Sequence, residues 1–114
     1  MSLIFKILSA AAWHDAEASG TFTGAPVDLA DGYIHFSTAA QVAETAAKHF
    51  AGQRDLMLVA IDPQALGSAL IWEPSRGGAL FPHLYAPLAT ADALWAKPLP
   101  LDADGHHDFS GLLP

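Results

Sequence analysis

The chain has 114 residues, no cysteine, and five Lys and Arg against twelve Asp and Glu, giving a net charge of -7 with neutral histidines. This excludes thiol catalysis, disulfides and cysteine-ligated zinc. It also disfavours nucleic acid as a partner, because that binding rests on neutralising phosphates. With 52% hydrophobic residues the sequence can bury a core as a single domain over residues 1–114. No apolar run approaches the ~18 residues needed to span a bilayer. The opening "MSLIFKILSAAAWHDAEASG" lacks the pattern of a secretory signal. An acidic, soluble, cytoplasmic domain is expected.

"LIFKILS" (residues 3–9) reads as a strand, with Lys6 interrupting an apolar run. Ser9 can cap a helix that ends near Gly20, with Trp13 as its buried anchor. "TFTGAPVDLADG" reads as a loop, punctuated by Gly24, Pro26 and the Asp31-Gly32 pair. "YIHF" (residues 33–36) is a short strand whose alternation puts Tyr33 and His35 on one face. Thr38 with Gln41 three residues on predicts a capping box. The helix that follows carries Val42, Ala46, His49 and Phe50 at helical spacing.

"DLMLVAID" (residues 55–62), apolar on both faces, predicts a central strand. "PQALG" allows one helical turn, "ALIWE" is another strand and "PSRGG" a loop. "LFPHLYAPL" is extended, and its prolines place any pairing at a sheet edge. "ADALWAKPLPL" fits a strand or a short helix, with Leu94 and Trp95 buried either way. The tail "DADGHHDFSGLLP" is turn-like. Helices gather in the first half and strands in the second, so the fold class is α+β rather than doubly wound α/β.

Four polar residues stand out against apolar neighbours: His35, Glu73, Arg76 and His83. Histidine suits acid–base work because its free pKa, ~6.5, lies near neutrality. A strand followed at once by a helix start also favours an anionic ligand, with Ser37 and Thr38 adding hydroxyls. Arg76, beside Gly77-Gly78, can grip a phosphate or carboxylate with its planar fork. His83 is held between two prolines, and Tyr85 lies two residues on, hence on the same face. A histidine and tyrosines (Tyr33, Tyr85) suit stacking on a flat ring. Each residue also has an ordinary structural explanation, such as a strand histidine or a solvated ion pair. His106 and His107 lack metal-ligand spacing, so no metal is expected. His14 and His49 read as surface positions on helices.

Taken together, "DGYIHFSTAAQVAETAAKHF", "LMLVAID", "LIWEPSRGG", "FPHLYAPL" and "DGHH" resemble the small bacterial family called domain of unknown function nine-five-two, over about residues 4–109. That family is similar to the ADP-ribosyltransferase-like superfamily. The resemblance implies two small packed β-sheets with flanking helices and a cleft for NAD. It implies that His35 holds the ribose, that Tyr33, Tyr85 or Phe36 stacks on nicotinamide, and that a glutamate stabilises the oxocarbenium ion. Glu73 is the candidate, although "IWEPS" departs from the superfamily's glutamate signature. His35, Glu73 and His83 are then the expected catalytic group. Tyr33, Ser37, Thr38, Arg76 and Tyr85 are the expected nucleotide-binding group. The alternatives are a non-catalytic nucleotide or small-ligand module on the same scaffold, and a hydrolase using His35 and His83 as acid and base.

Overall fold

The computed structural model describes residues 2–114, with the side chain of Arg76 outside the described part. In chain order the elements are β1 (Ile4–Ser9), α1 (Ala10–Ser19), β2 (Thr21–Phe22), α2 (Pro26–Asp31), β3 (Ile34–His35), β4 (Ser37–Thr38), α3 (Val42–His49), β5 (Leu56–Ile61), β6 (Leu70–Pro74), β7 (Leu80–Leu84), β8 (Leu88–Ala89) and β9 (Ala93–Leu99). Short 3-10 turns precede β6, β7 and β9.

The strands form a four-stranded sheet, β4-β1-β5-β9, a three-stranded sheet, β3-β7-β6, and a two-stranded ribbon, β2-β8. All pairings are antiparallel. The fold is therefore α+β with small antiparallel sheets, and the ribbon is an addition to the two sheets expected. No helix among the described residues is long and apolar enough to cross a membrane.

Alternation along β1 explains the double core. Ile4 and Leu8 enter one cluster with Trp13, Val59 and Ile61. Phe5 and Ile7 enter a second with Val42, Ala46 and Leu58. A strand apolar on both faces must be covered on both, so β1 and β5 sit in the middle of the larger sheet. Lys6 shares its face with Ile4 and Leu8, yet is only 5% exposed.

The first helix follows its sequence signals. Ser9 Oγ accepts the Ala12 N–H at 3.1 Å, and Gly20 closes the helix in the left-handed region at φ 88°. The stretch expected to be a loop instead forms β2 and α2. Pro26 stands in the first turn of α2, where its missing N–H costs nothing. Asp28 reaches back to accept the Ala25 N–H at 2.7 Å.

Thr38 is not the cap of α3. It lies in β4 opposite Ile4, and the helix begins at Val42. The Thr38 N–H donates to Gln41 Oε1 and the Gln41 N–H to the Thr38 carbonyl, each at 3.1 Å. The Thr38 and Gln41 amides, two of those expected to face an anion, are therefore already partnered.

"LFPHL" is also misplaced by the edge rule. It forms β7, the central strand of its sheet. The Phe36 N–H donates to the Pro82 carbonyl at 3.0 Å. Proline has no N–H to return that bond, and β3 pairing stops one residue earlier, at His35. A central proline is tolerated because its neighbour is only two residues long.

Leu94, expected to be buried, is 55% exposed. It points outward from β9, an edge strand. The tail contributes more than a turn, since Phe109, Leu112 and Leu113 pack against the second cluster.

Candidate functional site

Only Phe36 separates β3 from β4, so the chain passes there from the smaller sheet to the larger. A cavity of about 690 Å³ opens beside this crossing, with Lys6, Asp31, Tyr33, His35, Ser37 and His83 in its wall. That volume lies within the usual range for small-molecule sites.

The β3–β7 register sets His35 directly opposite His83, with ring centroids 5.5 Å apart. Tyr33 stacks on His83 at 4.1 Å and 29°. It also lies 4.6 Å from the His35 ring and 5.2 Å from Tyr85. Four rings thus form one block, brought together from "DGYIHF" and "FPHLY".

Each histidine has a carboxylate behind it. Asp28, 2% exposed, places Oδ1 at 2.6 Å from His35 Nδ1 and accepts the His35 N–H at 3.0 Å. Lys6 Nζ lies 2.9 Å from each Asp28 oxygen. Burial alone would raise the Asp28 pKa. The His35 hydrogen bond, the Lys6 charge and the Ala25 N–H outweigh it and hold the carboxyl at about 2. Burial pulls the Lys6 ammonium below its ordinary value, opposed by the charge and hydrogen bond of Asp28. On the other side of the ring, His35 Nε2 lies 2.9 Å from Asp31 Oδ2.

In the second pair, His83 Nδ1 lies 2.8 Å from Glu73 Oε1, and the Tyr85 hydroxyl donates to the same oxygen at 2.7 Å. The Tyr85 hydrogen bond, then that of His83, keeps the Glu73 carboxyl below its usual range. The Tyr85 phenol, which gives its proton to that bond, is pushed up to about 12. Replacing Tyr85 with Phe removes the larger of the two donors. The Glu73 carboxyl then titrates at higher pH, toward the ordinary carboxylate value, in a carbon-13 NMR titration of the side chain. An unchanged titration would contradict this arrangement.

The structure thus brings His35, His83, Glu73, Tyr33 and Tyr85 together. Ser37 is in the wall, and its hydroxyl lies 2.8 Å from Thr45 Oγ1. Thr38, Glu73 and Tyr85 are outside the wall, and the side chain of Arg76 lies outside the described residues. Sequence reasoning missed Lys6, Asp28 and Asp31. A lysine inside an apolar strand signals a buried partner. Proline at the start of "PVDLAD", with an aspartate two residues on, signals a helix start with a side chain turned back on it. Elsewhere, Asp102, Asp104 and His106 bring ligand-type atoms within 4.8 Å of one another on an exposed turn. There Asp102 Oδ1 already accepts the Asp104 and His106 N–H groups.

The family model described as Protein of unknown function (DUF952) matches residues 7–96, which include both histidine pairs. The chain belongs to that family. Lys6, the buried cation, falls one residue before the matched span. The chain is similar to the crystal structure of protein CC0527 from Caulobacter crescentus, with 53% identity, a TM-score of 0.91 and 95% of each chain covered. It is similar also to the solution NMR structure of the same protein, with 52% identity, a TM-score of 0.88, and 97% of this chain and 96% of that one covered. No curated protein matches.

Proposed function

We propose that the domain is an ADP-ribosyltransferase-like enzyme that takes NAD, or a related nucleotide, by its nicotinamide–ribose end and cleaves the bond between the two. Glu73 carries this reading: its carboxylate is held ionised by His83 and Tyr85, whose rings both pack against Tyr33. In the reaction the C1′–N bond breaks and its electron pair goes to nicotinamide. The positive charge left on the ribose is stabilised by a fixed carboxylate. A water or other nucleophile then adds to C1′ and gives up its proton to a base. His35, braced by Asp28, is suited to holding ribose hydroxyls, and Tyr33 to lying against a flat ring.

A second reading, a binding module without turnover, is favoured by a separate observation. Both ring nitrogens of His35 already face carboxylates. Incubation of the pure protein with NAD, following free nicotinamide, decides between the two. Release that disappears in Glu73→Gln supports the enzyme. Saturable binding by calorimetry with no release supports the module and removes the enzyme reading.

A further inference from the structure

We propose that the cavity binds an extended peptide, which lies against the unpaired end of β1 as a further strand. This goes beyond the nucleotide reading and does not rest on it.

The direction of the β1 hydrogen bonds carries the inference. Just past β1, the Ala10 N–H donates to the Asp55 carbonyl at 2.7 Å, one step beyond the Ser9–Leu56 register. In an antiparallel pair, residues that exchange bonds alternate with residues that do not. Lys6 and Leu8 therefore turn their N–H and C=O groups to β5, whereas Phe5, Ile7 and Ser9 turn theirs to the opposite side. There β4 sets Ser37 opposite Phe5 and goes no further toward Ile7. The chain turns away at Phe36, whose N–H donates to Pro82 in β7, and the His35 N–H donates to Asp28. The Ile7 N–H, the Ile7 C=O and the Ser9 N–H are left without a hydrogen-bond partner among the described residues.

Lys6, Ile7, Leu8 and Ser9 all stand in the cavity wall, so this edge borders the cavity. Ile7 is only 4% exposed. Unpaired backbone groups so deeply placed cost about as much as a lost hydrogen bond. One residue of an extended chain returns both Ile7 bonds, and the pattern repeats at every second residue.

The two sides of the cavity suit the alternating side chains of such a chain. The residue opposite Ile7 points, like Ile7 itself, to the side of Phe50 and Leu56, both in the wall. An apolar side chain belongs there. Its two neighbours point, like Lys6, to the side of His35, since Lys6 and His35 share Asp28. Asp28 already neutralises Lys6. The exposed carboxylate of Asp31 beside His35 and the net charge of -7 favour basic residues at those two places.

A chemical-shift titration of the nitrogen-15-labelled full chain with the capped tripeptide acetyl-Lys-Val-Lys-N-methylamide tests this. The Ile7 and Ser9 amide signals are expected to move, and the Ile7 amide to exchange with solvent more slowly. The Lys6 and Leu8 amides, already bonded to β5, keep their exchange rates. The same peptide methylated on the valine nitrogen keeps its side chains but cannot donate to the Ile7 carbonyl. It is expected to bind about tenfold or more weakly. Equal affinity of the two peptides overturns the inference. So does an Ile7 signal unmoved at millimolar peptide, or a shift confined to the exposed strand around Trp72. Peptide binding without nicotinamide release from NAD leaves this inference standing and removes the transferase reading. Release from NAD without peptide binding does the reverse.

Discussion

Replacing Asp28 with Asn is expected to lower the unfolding free energy by about 3–5 kcal/mol, the range for breaking a buried ion pair from one side. Asp28 serves four donors: Lys6 Nζ, the Ala25 N–H, the His35 N–H and His35 Nδ1. Without its charge the Lys6 ammonium stays buried with only a 6.0 Å approach to the Phe22 ring. Lys6→Met is expected to cost less, because the carboxylate keeps its other three donors. Urea unfolding of both variants measures the order. A loss of less than about 1 kcal/mol in Asp28→Asn would sink the idea that this pair anchors α2 to β1 and β3.

The same group sets an acid limit. Its native value of about 2 lies below the ordinary 3.8, so its contribution is complete above about pH 4. It fades as pH falls toward 2, where the native carboxyl takes a proton. The shift corresponds to roughly 2 kcal/mol. Asp28→Asn should accordingly flatten the stability curve between pH 4 and pH 2.

His35→Ala is expected to reduce nicotinamide release from NAD roughly tenfold or more, the weight of a lost hydrogen bond to the ribose, with the far-ultraviolet circular dichroism unchanged. The pH–rate profile supplies an independent readout. Glu73 is held below its ordinary value by Tyr85 and His83, so it stays ionised further into acid. A rate that needs this carboxylate ionised persists below the ordinary carboxylate range, and the acid limb moves up in Tyr85→Phe. Release that survives intact in His35→Ala would remove this histidine from the site.

How far the sequence carried depends on the range of the interaction. β1, α1, α3 and β5 are announced by short-range signals: Ser9 and Gly20 bounding a helix, Val42 and Ala46 at helical spacing, and a run apolar on both faces. α2 was lost because turn residues dominate "TGAPVDLADG" and hide a six-residue helix. The edge position assigned to β7 failed because a proline's tolerance depends on the length of the neighbouring strand, which β7 does not encode.

The site divides in the same way. By itself the sequence determined that His35 and His83 are polar residues on short apolar strands, each with a tyrosine two residues away. That follows from strand alternation, a property of one segment. Only the tertiary structure decided that these strands pair in the register that sets one histidine opposite the other. It alone placed Asp28 and Lys6, 22 residues apart, behind His35. A carboxylate's role depends on what it meets across the fold. Pro26 marks Asp28 as a helix-start residue and nothing local marks Asp31, whereas packing turns Asp28 into a buried anion and Asp31 into an open wall of the cleft.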